Sequence, residues 1–334
     1  MRLKIKKSGS YKFSNKYLDL IAKSEVYDVA EKTPITFAGN LSGKLKNDVY
    51  LKREDMQPIF SFKIRGSYNK IAHLNQEQKK RGVITASAGN HAQGVANACK
   101  KLKVPCLIVM PVTAPEIKVK SVKRFGSKVL LHGDNFDQAS KKARQMAREQ
   151  KLEFIEAFDD PLTIAGQGTV GKEILDEDNN LDVIFVPVGG GGLLAGISAW
   201  ISQTQTKTKI YGVEVEDSAC LAEAIKADKR VRLREVGLFA DGVAVECVGK
   251  NNFEVIKECV DGVITVSIDE LCAAVKDIFE DTRVLSEPAG ALALAGLKKY
   301  ARKISNKRLL AVSSGANVNF ERLSYIVERS EIGE

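Results

Sequence analysis

The run VIFVPVGGGGLLAG, residues 183–196, decides the fold. A short β-rich segment reaches Pro187, and Gly189, Gly190, Gly191 and Gly192 follow it. Leu193 then opens a helical pattern. Strand, glycine turn and helix form the repeating unit of open parallel sheets, because parallel strands need a crossover to join them. Consecutive glycines let the backbone approach a ligand closely and aim successive N–H groups at it, and a helix N-terminus behind them adds about half a positive charge. The segment is an anion cradle. A lone phosphate group suits it. So does a dinucleotide, because Gly190, Gly192 and Ala195 fit G-x-G-x-x-A and Glu214 stands at the end of the next strand. Four glycines in a row exceed what a Rossmann turn requires.

Working outward, GVITAS (82–87), CLIVMP (106–111), KVLLHG (128–133) and EFIEAF (153–158) are short β-rich runs. Helical stretches near Asn90–Lys101, Pro115–Phe125 and Phe136–Gln150 separate them. This alternation predicts a compact parallel α/β unit with right-handed crossovers. A second alternation runs through DVIFVPV (182–188), KIYGVEVE (209–216), GVITVS (262–267), a helix near Asp269–Thr282 and LLAVSS (309–314). PITFAG (34–39) and DVYLKRED (48–55) are expected to join that second unit. The predicted architecture is α/β, with two open parallel-sheet, three-layer domains. The smaller, residues 82–159, is inserted in the larger, residues 1–81 and 160–334, with a cleft between them.

The chain has 334 residues, 44% hydrophobic and 28% charged, with a formal charge of +9. That composition excludes disorder, a disulfide scaffold and a collagen-like chain. Lysines alternate with acids along most of the length, so the charge reads as a solvated surface and not as a nucleic-acid interface. The exception is the first 16 residues, where Arg2, Lys4, Lys6, Lys7, Lys12 and Lys16 meet no acid. That stretch has no apolar core of a signal peptide and is expected to be a frayed terminus. Val183–Thr206 is uncharged and long enough for a membrane span, but Pro187 and the glycines divide it, which argues against a membrane protein. Six scattered cysteines without a CxxC predict reduced thiols in a cytoplasmic protein. Three histidines without zinc spacing predict no transition-metal site.

A second loop, SAGNHAQG (87–94), also follows a strand and opens a helix, and its small and polar side chains suit a carboxylate or another anion. Two anion cradles facing one cleft suggest a phosphate-bearing ligand and a carboxylate-bearing substrate. Lys63 lies among Phe60, Phe62 and Ile64. Exposed, it is a solvated charge. Partly buried, it has a lowered pKa and becomes a nucleophile or base.

SFKIRG, TASAGNHAQGVA, VPVGGGGLLAG, EPAGALA and SSGANVN, in this order, resemble the fold-type II pyridoxal-phosphate (PLP) enzymes, which have the tryptophan synthase beta-like fold. IAGQGT, VEVEDSACL and VGLFADGVAV are most similar to the biosynthetic threonine dehydratases. The resemblance, from about Val49 to the C-terminus, implies PLP in the cleft, bound to Lys63 with Phe62 packed on its ring. It implies that Gly189, Gly190, Gly191, Gly192 and Leu193 hold the phosphate, that Asn90 meets the ring hydroxyl, and that Ser314 meets the ring nitrogen. Ser87, Ala88, Gly89, Asn90 and His91 would hold the substrate carboxylate, and Glu287 would stand near the cofactor.

The implied activity is β-elimination of L-threonine to 2-oxobutanoate and ammonia, and of L-serine to pyruvate, as the first step of isoleucine biosynthesis in a homodimer or homotetramer. A catabolic serine/threonine dehydratase, or a dinucleotide-dependent dehydrogenase on the G-x-G-x-x-A match, is the alternative. Serine racemases of similar sequence carry a second serine where Ala88 stands, and a metal-binding Asp where Cys220 stands. No racemase activity and no metal are therefore expected. A C-terminal regulatory domain is expected to be absent.

Overall fold

The computed structural model describes residues 1–5, 11–204 and 207–333. Lys6 and Lys7 of the basic N-terminal stretch, and Thr206 at the end of the uncharged one, lie outside them. Among the described residues eleven strands are placed in two sheets: β1 (Arg2–Lys4), β2 (Ile35–Phe37), β3 (Asp48–Arg53), β4 (Val83–Ala86), β5 (Cys106–Met110), β6 (Lys128–Leu131), β7 (Glu153–Phe154), β8 (Val183–Pro187), β9 (Lys209–Val215), β10 (Gly262–Val266) and β11 (Arg308–Ser313). The larger sheet has the order β1-β10-β9-β8-β11-β3-β2, and the smaller β6-β5-β4-β7. Each run expected to be a strand is one, and PITFAG and DVYLKRED supply β2 and β3 of the larger sheet.

The smaller sheet is parallel throughout. In the larger, β10, β9, β8, β11 and β3 are parallel, whereas β1 and β2 close the two edges antiparallel. The first edge corrects the expectation of a frayed terminus. Arg2–Lys4 pairs with Gly262–Ile264, and the Arg2 guanidinium lies 4.8 Å from the Tyr211 ring centroid and 4.5 Å from that of Tyr300.

The central strands are buried on both faces, as covered parallel sheets require. Successive residues of β8 serve different cores. Val183 and Phe185 join Ile264, Leu292 and Leu309, while Ile184 and Val186 join Ile164, Leu194 and Ile197. Among the described residues no helix is long and apolar enough to cross a membrane. The uncharged stretch becomes β8, a glycine turn and the helix Gly192–Gln203. None of the six cysteines forms a disulfide.

Three helices set the relation between the lysine and the glycine loop. The helix Pro161–Glu177 lies between Lys63–Ala72 and Gly192–Gln203. A Cβ on Gly166 would stand 2.7 Å from Gly66 Cα, and one on Gly196 would stand 2.6 Å from Gly168 N. Backbones approach this closely only where side chains are missing, which explains the spacing of glycines in IAGQGT.

The same crossing holds a buried charge cluster. Arg65 is wholly buried, bonded to Glu54 at 2.7 and 2.8 Å and to Glu173 at 2.6 and 2.9 Å, with Thr169 Oγ1 at 3.0 Å. Lys52 Nζ adds a bond of 2.8 Å to Glu173. Burial alone would lower the Arg65 pKa, but the carboxylates of Glu54 and Glu173 more than offset it and hold the pKa above its ordinary value. Glu173, opposed by its own burial, is held below the usual carboxylate range by Arg65 and Lys52.

Arg65→Ala would leave buried Glu54 without its cation and Glu173 with Lys52 alone. Unfolding in urea at neutral pH should show a loss of about 3–5 kcal/mol.

Candidate active site

Three strands, β4 of the smaller sheet and β8 and β11 of the larger, end at one cleft, at the carboxyl ends where ligands gather in open α/β sheets. β4 leads into Ser87–Asn90, β8 into Gly189–Gly192, and β11 into Ser314. Lys63 opens its helix beside them. Phe62 N–H donates to Ser314 C=O at 3.2 Å, and Ser61 bridges to Gly315, so the lysine segment is stitched to the end of β11. Lys63 Nζ donates to Ala157 C=O at 2.8 Å and lies 5.3 Å from the Phe62 ring centroid. Burial lowers its pKa from 10.5 to about 8, against the opposing pull of Glu287. The partly buried alternative for this lysine is the one the chain adopts.

Phe158, next to Ala157, lies over the glycine loop. A Cβ on Gly190 would meet its ring at 2.2 Å, and one on Gly192 would meet its carbonyl oxygen at 2.8 Å. Asn252 Nδ2 donates to Gly190 C=O at 2.7 Å and to Phe158 C=O at 3.1 Å, fixing loop and ring together. Leu193 turns its side chain into the core, so its backbone N–H in the helix's first turn is what faces outward for a ligand. Ser314 is buried, and its hydroxyl donates to Ala289 C=O at 3.3 Å.

On the other wall, Ser87 Oγ accepts from Gly89 N–H at 3.1 Å, and Ala88 packs against the smaller sheet's core. A Cβ on Gly89 would meet nothing within 4 Å, so space is open above the start of the helix Asn90–Leu102. His91 turns its ring away from that space. Its Nε2 lies 3.1 Å from both Thr85 Oγ1 and Ile155 C=O, and burial with the nearby Lys63 charge lowers its pKa to about 3. The ring is neutral and structural, leaving the His91 backbone for the cleft.

Asn90 Nδ2 donates to Glu287 Oε1 at 2.6 Å, while Asn317 Nδ2 donates to Asn90 Oδ1 at 2.7 Å. Burial and the Asp241 charge raise Glu287 to about 7, against the Asn90 bond. The structure thus gathers Lys63, Phe62, Ser314, the glycine loop, the Ser87–His91 loop and Glu287. Phe158, Asn252 and Asn317 had not been foreseen. Of these, Asn317 lay in the quoted motif SSGANVN, three residues after Ser314, and Phe158 closed the β-rich run EFIEAF, whereas Asn252 lay in no quoted stretch.

Glu214 is not available to a dinucleotide's ribose. It is wholly buried and accepts from the N–H groups of Leu221 and Ala222 at 2.7 and 2.8 Å, capping the next helix, and burial raises its pKa to about 8.

The family of sequences described as pyridoxal-phosphate dependent enzyme matches residues 26–315. The chain belongs to the pyridoxal-phosphate-dependent enzymes. Within them it is 54% identical over 320 residues to the L-threonine dehydratase biosynthetic IlvA of Pasteurella multocida, covering 95% of this chain. The chain spans 62% of that relative's length. The processed form of threonine deaminase isoform 2 from Solanum lycopersicum superposes with a TM-score of 0.96 at 42% identity, over 98% of this chain and 97% of that one. Maize serine racemase superposes with a TM-score of 0.86 at 29% identity, over 94% and 97%.

The residues fit PLP. The cleft offers a primary amine of lowered pKa for a carbonyl, a glycine turn before a helix for a phosphate, a neutral hydroxyl and open space over Gly89.

In the cofactor-free chain, labelling of Lys63 by an amine-acylating reagent, followed by peptide mass mapping, should rise with a midpoint of about 8 instead of 10.5. Gly190→Ala drives a methyl into the Phe158 ring. Its PLP affinity, measured by titration of the visible band, should fall by about tenfold or more.

Proposed function

We propose that the chain is the catalytic part of a threonine dehydratase, converting L-threonine to 2-oxobutanoate and ammonia, and L-serine to pyruvate, as the first step of isoleucine biosynthesis. The observation that carries this reading is the buried Lys63 amine of lowered pKa, placed between a phosphate-type glycine loop and a second helix N-terminus suited to a carboxylate. Lys63 would hold PLP through Nζ, the N–H groups of Gly189–Gly192 and Leu193 would hold its phosphate, and Asn90 and Ser314 its ring. Ser87, Ala88, Gly89, Asn90 and His91 would receive the substrate carboxylate, chiefly through backbone N–H groups. When bound, PLP supplies an electron-withdrawing ring that acidifies the substrate's Cα–H and lets the β-hydroxyl depart.

The protein's own part is placement and proton transfer. Once the substrate's own amine has displaced it from the cofactor, Lys63 Nζ, its pKa lowered by burial, would be free as a base to take the α-proton. The carboxylate clamp fixes the substrate so that this proton faces the amine. Ser314 places a neutral hydroxyl at the ring nitrogen, which leaves the ring a weaker electron sink and favours rapid elimination over transamination. Ala88 offers no acid on the opposite face, which argues against racemisation. In this reading residues 82–159 form the smaller domain, inserted between residues 1–81 and 160–334, and the protein works in the cytoplasm as a homodimer or homotetramer. The high identity to threonine dehydratases supports the substrate, and the free thiols suit a reducing compartment.

The purified protein should be yellow with PLP and release 2-oxobutanoate from L-threonine, without D-serine from L-serine. Lys63→Ala should lower keto-acid formation by roughly 10³-fold. Turnover that survives Lys63→Ala, or a measurable D-serine yield, would overturn the assigned chemistry.

A further inference from the structure

Asn317 belongs to no assigned role, yet it settles which way Asn90 faces. Its Nδ2 lies 2.9 Å from Ile59 C=O, a backbone group that can only accept. The same nitrogen lies 2.7 Å from the Asn90 amide, so the Asn90 atom toward it must be Oδ1. This turns Asn90 Nδ2 to Glu287 Oε1 at 2.6 Å. The reverse orientation would set NH₂ against NH₂ at Asn317 and, with Glu287 ionised, two oxygens against each other there. Asn90 Nδ2 has two hydrogens. One is given to Glu287, and among the described residues the other has no protein partner.

We propose that Asn317 is a positioning residue that locks the Asn90 amide as a hydrogen-bond donor toward the ring oxygen of bound PLP; this rests on the reading of Asn90 given above. Ile59 lies four residues before Lys63, and Asn317 three residues after Ser314. The lock therefore ties the ring-oxygen partner on one wall of the cleft to two of the segments that carry the other cofactor contacts, those of Lys63 and Ser314. A donor at the ionised ring oxygen stabilises that form against protonation and lowers its pKa. Release of the lock lets the amide rotate and present either edge, which weakens the preference.

The test is the pH titration of the visible band of PLP-loaded protein, with cofactor affinity measured beside it. Asn317→Leu keeps the bulk and removes both donated bonds. Its band should titrate about one pH unit higher, and PLP should bind about tenfold more weakly. Asn90→Ala should move the midpoint in the same direction. Adding Asn317→Leu to Asn90→Ala should move it no further, because the effect passes through Asn90. Asn317→Ser, a smaller change that keeps one hydroxyl donor, should give a shift of the same sign and smaller size, and carries the test if the leucine variant does not fold. An unshifted midpoint in a folded Asn317 variant, or additive shifts in the double variant, would overturn the proposal. Failure of the cofactor reading looks different: the unaltered chain would then show no visible band with PLP, and the proposal would go with it.

Discussion

The Arg65 guanidinium is the fixed point of this structure. It sits two residues after Lys63, wholly buried, and its bonds reach Glu54 after β3 and Glu173 in the helix Pro161–Glu177. With Lys52 the cluster contains two cations and two carboxylates, so burial leaves no net charge to be solvated. Such a cluster adds little net stability compared with apolar residues of the same volume. What it adds is direction. A planar fork bonded on both sides cannot rotate without breaking charged hydrogen bonds, so the helix start that carries Lys63 is fixed in rotation as well as in place.

Fixing that helix would accomplish little if the glycine loop could drift. The helix Pro161–Glu177 prevents this by touching both partners backbone to backbone, through Gly166 at Gly66 and through Gly168 at Gly196. Contacts between main chains carry no rotamer freedom, so the distance from lysine to loop is set by the packing itself. Asp160 continues the arrangement. It caps Pro161–Glu177 by accepting from the Leu162 and Thr163 N–H groups and pairs with Lys70 of the lysine's own helix at 3.0 Å.

Much of this was legible in the sequence because it is local. Alternation of β-rich and helical runs gave both sheets, and the glycine turn, the Ser87–Gly94 loop and the SFK segment marked the cleft before any contact was known. The antiparallel edges were not legible. Arg2–Lys4 is three residues, two of them charged, and becomes a strand only because Gly262–Ile264 and the rings of Tyr211 and Tyr300 wait for it. Phe158 and Asn252 escaped for the same reason, since their meaning lies in what they touch about 30 and 60 residues away. Glu214 misled in the opposite sense. Its spacing from the glycines imitates a dinucleotide site, and only its burial as a helix cap removes that meaning.

The electrostatics of the cleft follow from this scaffold. Burial shifts the titratable groups that line it toward their neutral forms: Lys63 is drawn down to about 8 and Glu287 up to about 7, Ser314 is a hydroxyl, and the His91 ring turned away behind them is uncharged. The strong charges are kept a layer below, compensated around Arg65. A cleft built this way meets the anionic ends of a ligand with helix N-termini and backbone N–H groups, whose dipoles are fixed and need no desolvation of a mobile cation. Any charge that develops on a bound ligand therefore faces oriented dipoles instead of a competing ion pair. The Lys63 amine and the Glu287 carboxyl, each kept near its own titration point, are the groups there able to take up and return a proton.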